Sequence, residues 1–445
     1  MKASKNLASP INLPKTLRRE IGFLEAITVV IGMVIGSGIF FKPSIVFRNA
    51  GSPLYGILAW VAGGIITIAS GLTIAEIAAA IPKTGGIFVY LKELYGEKCA
   101  FLFGWVQTVI YVPGSVAALA IVLATQATNF VPMSDIQQKL FAILMLLIIT
   151  TANVLSTKLA SKIQFIATIA KLIPLLIIIA LGLIKGTAHS FSMPTGSTAA
   201  GAGFGAAVLG TLWAYDGWVS VSNMGGELKN PKKDIPRSII VGLTITIIVY
   251  VLFNLAIINV IPMAAVISSN TVASDVASVL LGKSGSLFIS AGIFISIFGA
   301  LNGYLMTGVR IPFAMGQDKL LPYGKFLGKV NQKYQTPLNA YILEVVLICI
   351  YIFSGSFNTL TDLVVFVLWI FFTMAVAGIF ILRTKHKDLE RPYKVPFYPV
   401  VPLIGIIGGL YILFSTLLTD TLKALIGIVI TLIGLPVYWY IKKQK

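Results

Sequence analysis

Twelve apolar runs separated by short polar connections organise the chain. They lie near 21–41, 55–81, 100–129, 140–155, 163–184, 203–228, 237–262, 280–309, 338–354, 361–382, 399–418 and 422–441. A helix rises about 1.5 Å per residue, so roughly 20 apolar residues cross the hydrocarbon core of a bilayer. The pattern predicts an all-α membrane protein with twelve transmembrane helices. Two of the runs are broken. In the first, which reads ITVVIGMVIGSGIFFKP over 27–43, Gly36-Ser37-Gly38 falls near the bilayer midplane. Unpaired backbone in hydrocarbon costs several kcal/mol per group, so a break there is tolerated only where it is buried or lines a cavity. The half-helix beyond it would aim free N–H groups and a positive dipole end into that cavity, which makes a carboxylate site. The plainer alternative is that the two glycines let helices pack closely.

The sixth run repeats the feature, with Asp216-Gly217 in the middle of WAYDGW. This reads as a second unwinding, in which Asp216 caps the following half-helix or, alternatively, faces a cationic ligand group. Each broken helix opens a block of five runs. Interrupted helices in matching positions of two halves point to the binding site of a transporter, and an odd number of crossings per block makes the halves inverted. The expected division is a polar tail at 1–20, a first repeat at 21–184, a second at 203–382 and two further helices at 399–441.

Composition agrees with the pattern: 57% of the residues are apolar and 11% charged, against about 25% charged in soluble domains. The net charge of +18 is a matter of topology rather than of nucleic-acid binding. With a cytoplasmic N-terminus, 27 of the 34 Lys and Arg fall in inner segments, six in outer segments and one, Lys171, inside a run. The positive-inside rule then places both termini in the cytoplasm, and the expected location is the plasma (inner) membrane, with lipid as the surroundings. Cys99 and Cys349 lie far apart at or inside apolar segments and read as unpaired. The two histidines, His189 and His386, form no HExxH or Cys/His spacing, so neither a metal nor a cofactor is expected. No GxSxG elbow and no TVGYG filter is present, which argues against a hydrolase and a potassium channel.

Several polar residues stand out against this background. Lys171 lies nine residues beyond Lys162, roughly 13 Å into its helix, too deep for the side chain to reach water. Such a charge faces a cavity or a partner, the alternative being a structural carboxylate. Glu76 ends the second run as a gate candidate, or as a solvated or paired carboxylate. Glu227, Asp234 and Arg237 flank the inner loop GGELKNPKKDIPRSI as a second gate candidate, or as a solvated face. Pro236 is expected to open the seventh helix. Tyr250, Asn254, Ser290, Ser296 and Asn302 fit interhelical hydrogen bonds. The third helix is expected to kink at Tyr111-Val112-Pro113-Gly114, and otherwise the third and fourth helices carry little chemistry.

The segments IGSGIF (35–40), GLTIAEIAAAIPKTGG (71–86), IAKLIP (169–174), WAYDGW (213–218), GGELKNPKKDIPRSI (225–239) and RPYKVPFYPVVP (391–402) together resemble a known family. It is the L-type amino acid transporter branch of the amino acid–polyamine–organocation superfamily, notably its bacterial serine/threonine and alanine–serine–cysteine exchangers. The resemblance implies a LeuT-type 5+5 inverted repeat with two added helices. It implies a substrate carboxylate on the amides of Ser37 and Gly38, and an α-amino group at carbonyls near Ile35 and Gly36 and at Trp213 and Ala214. Tyr215, Asp216 and Gly217 would complete the second break, and Tyr250 and Ser296 would line the site or approach Lys171. Trp213 takes the lid position, commonly Phe in this family. Lys171 would replace the sodium ion that ties helix 1 to helix 8 in LeuT-type transporters. The implied function is sodium-independent exchange of small neutral L-amino acids such as serine, threonine or alanine. Alternatives are a proton-coupled amino acid or polyamine importer and a non-transporting amino acid sensor, which would be expected to carry a signalling domain. Animal relatives bind an accessory glycoprotein through a cysteine between helices 3 and 4. No cysteine lies in 130–138, so no disulfide-linked subunit is expected.

Overall fold

The computed structural model describes residues 17–128, 130–188, 203–269, 271–354, 357–419 and 421–443, leaving aside the side chains at 283, 286, 354, 357–364, 419 and 423. Most of the N-terminal tail, together with His189 and the stretch to 202, lies outside the described residues. Within them, regular structure is helical, with isolated bridges at Ile21–Leu228 and Thr84–Met224.

The first run forms α1 (Phe23–Val34) and α2 (Gly38–Phe41), followed by α3 (Pro43–Ala50). Next come α4 (Pro53–Ala80), α5 (Ile87–Tyr95), α6 (Glu97–Val106) and, after a π-turn at Gln107–Tyr111, α7 (Val112–Ala127). Then follow α8 (Asp135–Leu155), α9 (Thr157–Lys185) and α10 (Phe204–Ala214), the last leading into a 3₁₀ turn at Trp218–Asn223. The remainder is α11 (Pro231–Val260), α12 (Met263–Ser268), α13 (Val272–Gly308), α14 (Arg310–Gln317), α15 (Gly324–Leu327), α16 (Leu338–Ser354), α17 (Phe357–Lys385), α18 (Val400–Thr419) and α19 (Thr421–Lys443).

Local chemistry sets many of these boundaries. Ser52, Ser134 and Ser156 accept hydrogen bonds from the first turns of α4, α8 and α9. Prolines at the starts of α3, α4 and α11 occupy positions where no amide donor is needed. The seventh helix therefore begins at Pro231, earlier than expected, with Pro236 inside it. The carbonyl that Pro236 leaves free is that of Lys232, in the exposed first turn. Pro113 produces a π-turn rather than a simple kink. The proline cannot donate to the Val109 carbonyl, and the Tyr351 hydroxyl of α16 does so instead at 2.9 Å.

Ten helical stretches among the described residues are long and apolar enough to cross a membrane. The two other expected spans differ for local reasons. The sixth is divided at 215–217, and the ninth, α16, is a 17-residue helix. α4 and α11 pack on each other and hold α1 and α10, whereas α7, α8, α13 and α16 form a second group. α9 lies against α1, α11 and α13 and so bridges the two groups. The segment just ahead of α1 and the last turn of α19 approach one end of the bundle: the Glu20 amide donates to the Glu227 carbonyl, Lys442 pairs with Glu97 at 2.7 Å, and Lys92 pairs with Asp318 at 2.6 Å.

Candidate functional site

The two breaks meet at the centre of the bundle. α1 ends at Val34, Ile35 leaves helical geometry (φ −76°, ψ 76°), and the chain re-enters a helix at Gly38. Among the described residues, the amides of Ser37, Gly38 and Ile39 have no backbone acceptor. α10 ends at Ala214, and Gly217 (φ 102°) turns the chain into the 3₁₀ segment, a left-handed conformation that glycine adopts without strain. A Cβ on Gly38 would lie 2.4 Å from the Ala214 Cα, so only glycine lets the two breaks touch.

The carbonyls freed at the first break are satisfied from three other helices. Lys171 of α9 is fully buried, and its Nζ donates to the carbonyls of Gly32 (2.6 Å) and Ile35 (2.5 Å), with the Ser296 carbonyl at 3.4 Å. The Ser296 hydroxyl, expected to line the site or approach Lys171, donates to the carbonyls of Ile35 (3.0 Å) and Gly36 (3.3 Å). The Tyr250 hydroxyl lies 2.6 Å from the Val34 carbonyl and 2.8 Å from that of Ala214, joining the two breaks with one shared proton. An ion at this depth is tolerated only when its donors are paired, and all three Lys171 donors have an oxygen within reach.

Behind this node a polar ladder locks α9 in place. Thr168 and Gln164 reach the Thr28 carbonyl of α1 at 3.1 and 3.5 Å, and Asn302 of α13 bonds Gln164 and Asn153 at 2.9 and 2.8 Å.

A cavity of about 10 Å³ lies between the breaks, lined by Ser37, Gly38, Trp213, Asp216, Leu119 and Tyr304 among others. That is room for about one water molecule, so a larger ligand requires the walls to part. Trp213 is buried at its edge, eight per cent exposed. The Asp216 Oδ2 accepts from the hydroxyls of Tyr111 (2.5 Å) and Tyr304 (2.8 Å), and its carboxylate also meets the backbone amide of Gly217, the residue at the cap position of the 3₁₀ segment. Tyr111 lies on the third helix, so that helix does contribute to the site. Tyr215 points away from the cavity, its hydroxyl on the Trp60 carbonyl at 3.1 Å and its ring against Trp60 and Tyr250. The expected acceptors for an α-amino group are already engaged. Ile35 takes two donors and Ala214 the Tyr250 hydroxyl, while the Trp213 carbonyl receives the Asp216 amide at 3.2 Å.

The expected gate residues have other partners. Glu227 is buried and pairs with Arg310 rather than Arg237, at 2.7 Å (Nε to Oε1) and 2.8 Å (Nη2 to Oε2), with the Thr157 hydroxyl on Oε2 at 3.0 Å. Arg310 also donates to the Met306 carbonyl and the Tyr341 hydroxyl. Among the described residues Arg237 is exposed and makes no ion pair. The Glu227 carbonyl holds the amides of Glu20 and Ile21 just ahead of α1, so the Arg310 cluster fixes where α1 enters the bundle. Glu76 is fully buried and paired, its carboxylate taking both Arg383 donors (3.0 and 2.7 Å) and the Val395 amide (2.7 Å). It ties α4 to the end of α17, away from the cavity. Tyr111, Tyr304 and Arg310 carried no signal strong enough to be singled out in the sequence, although an arginine in the apolar context MTGVRIPF was the one available hint.

Comparison with known proteins identifies the architecture. A family model described as amino acid permease matches residues 21–437. The chain is 40% identical to the serine/threonine exchanger SteT of Bacillus subtilis over 430 residues, 96% of this chain and 98% of that one. It is 32% identical to the b(0,+)-type amino acid transporter 1 of Mus musculus, covering 91% of this chain and 84% of that protein. Identity to the human cystine/glutamate transporter is 31%, over 95% of this chain and 85% of that one. All three are transporters by name, and none is an enzyme. A multi-pass membrane protein, the chain belongs to the amino acid permease family of the amino acid–polyamine–organocation superfamily, with relatives of the L-type branch.

Proposed function

We propose that this permease is a sodium-independent exchanger of small neutral L-amino acids, such as serine, threonine or alanine, working by alternating access. The observation that carries the reading is the Lys171 ammonium bonded to the carbonyls that the first break releases. A tethered cation holds α1 against α13 as a bound ion would, yet no ion gradient drives it. The conformational cycle then depends on substrate occupying the site in both directions. The chain's 40% identity to a serine/threonine exchanger supports the substrate class. In this reading the substrate carboxylate sits on the amides of Ser37 and Gly38, where free N–H groups and the helix dipole favour an anion. The Trp213 carbonyl, on a residue that lines the cavity, accepts the α-amino group with the lone pair that the Asp216 amide leaves free.

The reading also takes the α1–α9 and α10–α17 halves as LeuT-type inverted repeats, with α18 and α19 outside them. The divided sixth helix and the short α16 then complete twelve spans. Both termini are placed in the cytoplasm and the protein in the plasma membrane by the bias of basic residues. With no cysteine between the third and fourth helices, it is expected to work without a disulfide-linked subunit.

Uptake of radiolabelled amino acids into proteoliposomes, with and without sodium, tests the substrate class. Serine, threonine or alanine should enter serine-loaded vesicles at equal rates in sodium and choline buffers. Uptake confined to cationic amino acids or polyamines would overturn the assignment. Trp213 supplies a narrower test. As the bulky wall of a very small cavity, its replacement in Trp213→Ala should raise the KM for serine and admit larger side chains such as leucine. An unchanged substrate profile at normal expression would remove Trp213 from the lid.

A further inference from the structure

A second built feature lies at the end of the bundle where Glu20 and Lys442 lie. An apolar groove of about 650 Å³ runs between the third helix and α16, with Trp105, Val109, Leu321, Phe326, Ile342 and Val346 among its walls. Its volume falls within the range of ligand pockets, about 300–1,000 Å³. At Asn339 the groove meets a polar pocket of about 370 Å³, lined by Lys329, Asn331, Gln332 and Lys333. The two cavities share Asn339, whose side-chain amide is held on the Phe326 carbonyl at 2.6 Å.

Charge distinguishes the two halves. The segment 318–335 holds four lysines and one acid, Asp318, which pairs with Lys92. Among the described residues, Lys329 and Lys333 have no carboxylate partner; Lys333 lies over the Tyr334 ring at 5.2 Å. The Asn331 carboxamide oxygen accepts from the amides of Lys333 and Tyr334, both at 3.0 Å, which fixes the turn that carries these lysines. Tyr323 and Phe326, 87% and 50% exposed, mark the rim, as aromatics do at a membrane–water boundary. From that rim the apolar walls run along α16 into the span.

We propose that an anionic phospholipid of the leaflet on the side of Glu20 and Lys442 docks here. Its phosphate lies against Lys329 and Lys333, and one acyl chain fills the groove. A soluble anion would leave the groove unused. A zwitterionic lipid would bring a second cation beside two lysines with no carboxylate to receive it. Basic pockets beside transmembrane helices on the cytoplasmic side bind anionic headgroups by this arithmetic.

Native mass spectrometry of the detergent-purified full-length protein, titrated with dioleoyl phosphatidylglycerol or dioleoyl phosphatidylcholine, tests the site. Wild type should retain phosphatidylglycerol about 25-fold more tightly, given roughly fivefold for each of the two lysines. The double variant Lys329→Gln/Lys333→Gln should bring phosphatidylglycerol down to the phosphatidylcholine level. Val346→Trp, which fills the groove from an exposed position, should weaken both lipids. All three substitutions are at surface positions, and an unchanged melting temperature confirms folding. Equal retention of the two lipids by wild type, or a preference that survives the double lysine variant, overturns the proposal.

Discussion

Lys171→Ala should fold and reach the membrane but lose exchange by roughly fivefold or more. The magnitude follows from what the substitution leaves behind. The carbonyls of Gly32 and Ile35 lose their ammonium donor in a fully buried position. An unsatisfied buried acceptor costs about 1–3 kcal/mol; Gly32 is left without its donor while Ile35 keeps that of Ser296, so the arrangement that joins α1 to α13 is disfavoured by at least about 1 kcal/mol. Ser296 retains its bonds to Ile35 and Gly36, which is why a large loss of transport is expected without loss of the fold. Serine exchange by purified variant in proteoliposomes, normalised to the folded protein recovered, measures the effect. Exchange like that of wild type would show that the ammonium has no part in coupling.

Arg310→Met should destabilise the protein by about 3–5 kcal/mol, the usual result of stranding one member of a buried ion pair. Glu227 would keep the Thr157 hydroxyl but lose both guanidinium bonds. The effect should extend beyond stability. The Glu227 backbone fixes the segment just ahead of α1, so loosening it favours conformations in which that end of α1 swings away. The double variant Glu227→Leu/Arg310→Met removes both charges, and its melting temperature should recover part of the loss. Exchange should stay low, because the tie to Thr157 and Tyr341 is gone. A single Arg310→Met variant as stable as wild type would show that the pair is not a latch.

These residues also show what a sequence makes legible. Lys171 was readable because an ammonium so far into an apolar run cannot reach water. The two breaks were readable because Gly36-Ser37-Gly38 and Asp216-Gly217 have no ordinary place at midplane. The partners were not. Arg310 lies one residue beyond the expected end of the eighth run, yet burial of Ile311, Pro312 and Phe313 carries the helix on to Gln317. Tyr111 looks like one aromatic among many until the π-turn ahead of Pro113 directs it at Asp216. Glu76 finds Arg383 across 307 residues of chain, a pairing that only the packing of α4 against α17 creates. The misassigned gate between Glu227 and Arg237 has the same origin: nearness in sequence stood in for nearness in space.

The central claim is that transport is exchange, coupled through a fixed ammonium rather than through sodium. Efflux of radiolabelled serine from preloaded proteoliposomes into four buffers, with or without external serine and with sodium or choline, tests it most directly. The account predicts release that requires external serine and is equal in the two salts. Release into serine-free buffer at the same rate, or a strict requirement for sodium, would contradict it.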